Sequence, residues 1–264
     1  MNYFYSASPD GEFRLPPAGH PWLRGDGLFE TIKSENGELF FLDRHISRLA
    51  FAAQELRFEE ADFPSLRHEA EQLMQRTAGI PRGRFRITLF PDATFLISHE
   101  EAPLRTSPQK LYLSPKLRFS DAPLTGKKSL SYGEGSFGLR LAKSYGCDDL
   151  LYLNEREEVV ETGLANILVE HRGNFTTPSL ASGCLPGIVR GVLLDWFKDV
   201  TQSDITFEDI ASASGLYVLS SLREIDLVTE LHTAAGTVQK FQISAAAEKL
   251  RADYLINSRS LPNS

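Results

Sequence analysis

The sequence predicts an α/β (α+β) protein built from two lobes. Three observations predict it. Short runs with strand-like alternation occur in both halves, helically spaced apolar residues fall between them, and an unpatterned proline-containing stretch separates the halves. The chain has 264 residues, enough for one large domain or two medium ones with cores of their own. We place an N-terminal α/β domain over 1–101, a linker over 102–110 and a strand-rich C-terminal domain over 111–264. The linker rests on EAPLRTSPQ at 101–109, which has two prolines, small polar residues and no periodicity.

The elements follow in order. LFETIKSENGELFFL (28–42) predicts a hairpin, with apolar-rich arms around SENG. DRHISRLAFAAQELRF (43–58) predicts a helix with Asp43 as N-cap and Ile46, Leu49, Ala50 and Ala53 at helical spacing. A second helix over 63–79 ends at Gly79. RFRITLF (84–90) alternates strictly, with Arg84, Arg86 and Thr88 on one face and Phe85, Ile87 and Leu89 on the other. A strand, ATFLISHE, follows. The second half opens with three or four short strands over 148–178, turning at NERE and HRGN. A helix starts near Pro186, with Val189, Val192, Leu193 and Trp196 on one stripe. GLYVLSS and IDLVTELH predict strands, and residues 243–258 a closing helix.

Composition narrows the function. The net charge of -7 and pI of about 5.5 argue against nucleic acid as the main partner, because phosphate backbones need a basic surface. Two cysteines, Cys147 and Cys184, read as free thiols in a reducing cytoplasm rather than a disulfide. The first residues lack the basic-then-apolar order of a signal peptide, and no apolar run reaches the roughly 18 residues of a membrane span. The six histidines have no metal-ligand spacing, so no metal is expected. Nucleophile elbow, P-loop and dinucleotide fingerprints are all missing.

Four features remain as candidates for chemistry. In GKKSLSY (126–132) an extended backbone would point Lys127 and Lys128 to opposite faces, so at most one reaches a pocket; a solvated turn is the plainer reading. A desolvated lysine is a ready amine nucleophile toward an aldehyde. Glu161 ends the strand-like EEVVET and can open onto a site or belong to an acidic hairpin. GCLPGIVRG (183–191) leads into a helix N-terminus, whose unpaired N–H groups suit a phosphate and also suit a plain helix start. Arg44 and Arg48 are a like-charge i,i+4 pair, unfavourable unless an anion or carboxylate sits near them; a solvated charged face is the alternative.

Taken together, GDGLFETI (25–32), LDRHISRL (42–49), KKSLSY (127–132), VVETGLANIL (159–168), LPGIVR (185–190) and SSLREIDLV (220–228) resemble the class IV aminotransferase family in order and approximate spacing. These are the fold type IV pyridoxal 5'-phosphate (PLP) enzymes, which include branched-chain and D-amino-acid aminotransferases and 4-amino-4-deoxychorismate lyase. The resemblance implies a two-domain, D-amino-acid-aminotransferase-like fold with the PLP lysine in the C-terminal domain. It implies that Lys128 forms the Schiff base with PLP and moves the substrate proton, and that Glu161 pairs with the pyridine nitrogen. Arg48, the N–H groups of Ile188 and Val189, and the Ser221 hydroxyl would bind the phosphate.

Two positions depart from the family pattern. Val189 stands where a threonine is common, and Ser131 where an asparagine is common. Arg24 and Arg86 match positions that line the substrate pocket in some members, which suggests an acidic or dicarboxylic substrate; surface salt bridges are the alternative. GDGLFETI, LDRHISRL and SSLREI resemble the aminodeoxychorismate lyase branch more than the branched-chain one, with an amino-acid transaminase as the second reading. A non-catalytic PLP-binding protein is opposed by the presence of both Lys128 and Glu161. The family also implies a homodimer acting on a small molecule.

Overall fold

The computed structural model describes residues 3–6, 20–102, 109–236 and 238–260. They form two compact units. The first comprises Met1–Leu104, Lys127–Tyr132 and Ser258–Ser264, and the second Arg105–Gly126 and Gly133–Asn257. Most of the expected linker, residues 103–108, lies outside the described residues.

The first unit contains β1 (Tyr3–Ser6), β2 (Leu28–Glu35), β3 (Glu38–Leu39), α1 (Leu42–Glu55), α2 (Phe63–Arg76), β4 (Arg82–Leu89) and β5 (Phe95–Glu101). The antiparallel sheet has the order β1-β5-β4-β2-β3. Alternation does the sorting. Leu28 and Ile32 of β2 and Phe85, Ile87 and Leu89 of β4 point to one face and join Leu49 of α1 and Leu66, Ala70 and Leu73 of α2 in one core. Truncating one of these buried leucine, isoleucine or phenylalanine side chains to alanine costs about 2–5 kcal/mol. The expected hairpin and both helices are present, but Asp43 is not the N-cap of α1. Phe41 holds that place with φ 58° and no side-chain cap, and Asp43 in the first turn pairs with Arg67 instead. The second helix ends at Arg76, three residues before Gly79.

The lysine pair belongs to this unit, not to the second one where a single cut at the linker would put it. The segment runs extended beside β2: Phe29 N–H donates to Lys128 O at 2.9 Å and Leu130 N–H to Gly27 O at 2.8 Å, around an antiparallel bridge between Leu28 and Ser129.

The second unit contains β6 (Gln109–Leu113), α3 (Gly133–Ser144), β7 (Asp149–Leu153), β8 (Val159–Thr162), β9 (Asn166–His171), β10 (Asn174–Pro178), α4 (Ile188–Trp196), β11 (Val200–Ser203), α5 (Phe207–Ala211), β12 (Gly215–Ser220), β13 (Glu224–His232), β14 (Val238–Lys240) and all but the last three residues of α6 (Ala245–Ser260). Its sheet has the order β11-β10-β9-β12-β13-β6-β7-β8, with β14 on β13. The expected turns fall at 154–157 and 171–174, where Glu157, Arg172 and Gly173 have positive φ. Helix α3 carries no sequence signal, since Gly133, Gly135 and Gly138 dilute its propensity. Tertiary packing requires one of them: a Cβ at Gly138 would land on the Tyr152 hydroxyl.

A buried polar chain also constrains the first unit. His99 bonds Ser34 Oγ through Nε2 at 2.7 Å and Thr77 Oγ1 through Nδ1 at 2.6 Å, and the Thr77 hydroxyl donates to Leu73 O. A Cβ at Gly83 would fall on His99 Nε2 and within 2.5 Å of Ser34 Oγ. Gly83→Ala is therefore expected to lower stability by about 1–3 kcal/mol in urea denaturation. Gly79→Ala, with nothing within 4 Å of the new methyl, is expected to stay within about 0.5 kcal/mol of the parent.

Candidate active site

On the first unit, two consecutive residues of β2 organise the candidate groups, and strand alternation sends them to opposite faces. Phe29 carries two cations on its ring. Lys128 Nζ lies 4.5 Å from the ring centroid and the Arg86 guanidinium carbon 3.9 Å. Phe29 is buried, and Tyr132 meets it edge to face at 5.8 Å. Burial lowers the Arg86 pKa from its ordinary value, with Arg84 adding to the effect. Arg86 therefore shares its aromatic ring with Lys128, whereas Arg84 forms an exposed pair with Glu100 at 2.8 Å. Lys127 points elsewhere, its Nζ 2.6 Å from Glu55 Oε2. The two lysines are thus distinguished by partner, as an extended backbone requires.

Glu30 points into the core. Its carboxylate accepts Arg48 Nε at 2.9 Å and Nη2 at 2.5 Å, and lies 2.6 Å from His45 Nδ1. Burial pushes the Glu30 pKa up, but the attraction of Arg48 and His45 outweighs it and holds the carboxyl down at about 2. An ionised carboxylate only accepts, so His45 donates from Nδ1. Burial lowers the His45 pKa against the opposing pull of Glu30, with Arg48 and Lys128 adding positive charge nearby. Arg48 is consequently not on a solvated face. The carboxylate that its pairing with Arg44 called for is Glu30, fifteen residues before His45 and invisible to helical spacing.

Arg24 is exposed at the end of the 3-10 turn Pro21–Arg24. Ser131 Oγ donates to Gly25 O at 3.1 Å, which ties the residue after Arg24 to the lysine segment.

On the second unit, Glu161 is held at both oxygens. Arg118 Nη1 donates to Oε1 at 3.0 Å, while Asn166 Nδ2 at 3.2 Å and Leu185 N–H at 3.1 Å donate to Oε2. Arg118 also bonds Thr162 O at 3.0 Å and lies over the Tyr152 ring at 4.2 Å. Glu161 is therefore no solvated hairpin carboxylate; that description fits Glu155, which pairs with Arg156. Sequence reading missed Arg118 and Asn166. Arg118 has no local signal because it acts 43 residues away, whereas Asn166 lay inside a motif already singled out.

Asn166 also donates to Leu185 O at 2.9 Å, and its Oδ1 occupies the place where a Cβ on Gly187 would go. Gly187 is the N-cap of α4, so no cap side chain accepts from the first-turn N–H groups of Ile188 and Val189. Ser221 lies in the turn between β12 and β13. Among the described residues, no cluster of His, Cys, Asp or Glu could hold a metal ion.

The kinds of group present fit PLP: on the first unit a lysine amine for an aldehyde, and on the second an oriented carboxylate for a pyridinium and an uncapped helix start for a phosphate. The buried pair has its own consequence. A carboxyl depressed from 4.5 to about 2 adds stability that is complete above pH 4.5 and is lost as pH falls toward 2. The loss is worth about 3 kcal/mol. Glu30→Gln is expected to be less stable at pH 7 and to show a flatter acid limb between pH 4.5 and 2.5 by chemical denaturation.

Comparison with known proteins agrees with this reading. Residues 27–231 match the model of the amino-transferase class IV family. The chain is 26% identical over 260 residues to the aminodeoxychorismate lyase of Bacillus subtilis, covering 89% of this chain and 88% of the relative. It is 23% identical over 265 residues to the bifunctional aminodeoxychorismate lyase / D-amino acid transaminase of Mycobacterium tuberculosis, covering 86% and 90%. The fold matches that of the fold IV transaminase CpuTA1 from Curtobacterium pusillum with a TM-score of 0.83 at 22% identity, over 96% and 91% of the two chains. The chain belongs to the class IV aminotransferase family and is a PLP-dependent enzyme with the family's fold.

Proposed function

We propose that the chain is a 4-amino-4-deoxychorismate lyase, which eliminates pyruvate from its substrate and yields 4-aminobenzoate, a folate precursor. The Phe29 ring carries this reading, because it sets the Lys128 amine beside the desolvated Arg86 cation. The substrate bears two carboxylates, and a low-polarity cation is suited to one of them. The lyase name of the Bacillus subtilis relative supports the same choice.

The residue roles follow from chemistry and family pattern. When bound, PLP supplies an electron-accepting ring conjugated to the amine-bearing carbon of the substrate. Lys128 would hold the cofactor and, with the substrate amine bound in its place, would take the proton from that carbon at Nζ. The C–O bond at the neighbouring carbon would break, the enolpyruvate leaving with its electron pair and taking up the proton held at Lys128 Nζ, and the ring would become aromatic. Glu161, oriented by Arg118 and Asn166, keeps a pyridine nitrogen protonated. Arg48, the Ile188 and Val189 N–H groups and the Ser221 hydroxyl bind the phosphate; Arg24 and Arg86 bind substrate carboxylates. The enzyme works as a homodimer in the cytoplasm, with its two cysteines as buried free thiols. Among the described residues no helix is long and apolar enough to cross a membrane.

A second reading is an amino-acid transaminase for branched-chain or D-amino acids with a 2-oxo acid acceptor. The Mycobacterium tuberculosis relative, whose name joins a lyase to a D-amino acid transaminase, favours keeping it.

Three measurements test these assignments. Reconstitution with PLP is expected to give a visible absorbance band that Lys128→Ala abolishes and Lys127→Ala retains; loss in both variants, or in neither, overturns the role of Lys128. Supplied with aminodeoxychorismate, the enzyme is expected to release pyruvate, whereas turnover only of amino acids with 2-oxoglutarate establishes the transaminase. Light scattering is expected to give twice the 29.5 kDa chain mass.

A further inference from the structure

Arg190 is the third residue of α4 and is 4% exposed, yet no carboxylate neutralises it among the described residues. Its guanidinium donates to Pro178 O from Nε at 3.3 Å and from Nη2 at 2.8 Å, and from Nη2 to Gln202 Oε1 at 2.5 Å. Both acceptors are neutral. Pro178 ends β10, and Gln202 lies in β11, whose pairing with β10 is parallel. The side chain therefore clamps the first turn of α4 to the edge of the sheet across the loop from Ser179 to Gly187. Cys184, inside that loop, adds weak thiol bonds to Pro178 O and Ser179 O.

Burying a cation without a counter-charge costs several kcal/mol, and neutral acceptors return only part of it. A hydrophobic residue of similar volume would pack the helix against the sheet without that cost. The charge thus has a use that packing alone does not explain. Two and one residues earlier in the same turn, the N–H groups of Ile188 and Val189 have no cap side chain, and the helix dipole adds further positive potential there.

We propose that Arg190 is a positioning residue for the cofactor phosphate: it seats the first turn of α4 against β10 and β11 and supplies a buried positive charge that the phosphate dianion balances. The inference rests on the phosphate reading of Ile188 and Val189 above. Arg190 touches neither cofactor nor substrate in this account. It acts through the placement of those two N–H groups and through the field at the helix start.

The test compares PLP with pyridoxal, which has the same aldehyde and ring and no phosphate. The full-length protein is stripped of cofactor, and each aldehyde is titrated into wild type and Arg190→Met by absorbance. Wild type is expected to prefer PLP strongly. Arg190→Met is expected to cut that preference about tenfold, by raising the PLP dissociation constant while leaving that of pyridoxal unchanged. Thermal melting of the unliganded variant shows that it folds; if it does not, Arg190→Gln, which keeps a donor for Pro178, is titrated in its place with the same expectation. A variant that keeps the wild-type ratio, whether both affinities fall together or neither moves, overturns the inference. Wild type binding both aldehydes equally would overturn the underlying phosphate reading instead.

Discussion

The ion pair between Glu30 and Arg48 is the constraint on which the first unit depends. Glu30 sits at a core-facing position of β2, between Leu28 and Ile32, where an unpaired carboxylate would cost several kcal/mol. The bidentate grip of Arg48 and the donated proton of His45 make that position tolerable. In return the carboxylate pins α1 to the strand at one register. Phe29 then points to the opposite face at a defined place, and the lysine segment hydrogen-bonds beside it. Removing one partner of this pair disturbs more than a charge, because α1, β2 and the segment at 127–132 meet there.

The second unit solves a similar problem with polar groups around a partly buried carboxylate. Glu161 accepts from Arg118, Asn166 and the Leu185 backbone, which fixes both oxygens and links the carboxylate to the loop leading into α4. Asn166 joins both features, since it holds Glu161 and occupies the space that obliges Gly187 to be glycine. Asp149 extends the same economy of contacts: its buried carboxylate accepts N–H bonds from Gly163 and Leu164, in the turn immediately after Glu161. Burial pushes the Asp149 pKa up against those bonds. A short chain of side chains therefore determines the shape of two loops.

Much of the fold was legible locally. Strict alternation at 84–90 matched the strand β4, with Phe85, Ile87 and Leu89 inside, and helical spacing located α1, α2, α4 and α6. Misreadings occurred where local and tertiary preferences diverge. Asp43 satisfies the composition rule for an N-cap, but Arg67 recruits it and the chain enters α1 through Phe41. Helix α3 carries three glycines, of which Gly138 answers the close approach of Tyr152 and Leu150, so propensity alone points away from a helix. The division of the chain was harder still, since the lysine segment pairs with a strand about a hundred residues earlier.

Alone, the sequence determined most of the strands, the helices α1, α2, α4 and α6, the ordered motifs that identify the family, and the residue types available for an amine, a carboxylate and a phosphate-binding turn. These follow from periodicity and from spacing along the chain, both local properties. Tertiary structure decided which lysine of the pair reaches the aromatic ring, that Arg48 answers a buried carboxylate, and that Arg118 and Asn166 govern Glu161. Each of those outcomes depends on groups far apart in sequence meeting in a low-dielectric setting. There, geometry and desolvation rather than residue type set the charge and direction of a side chain.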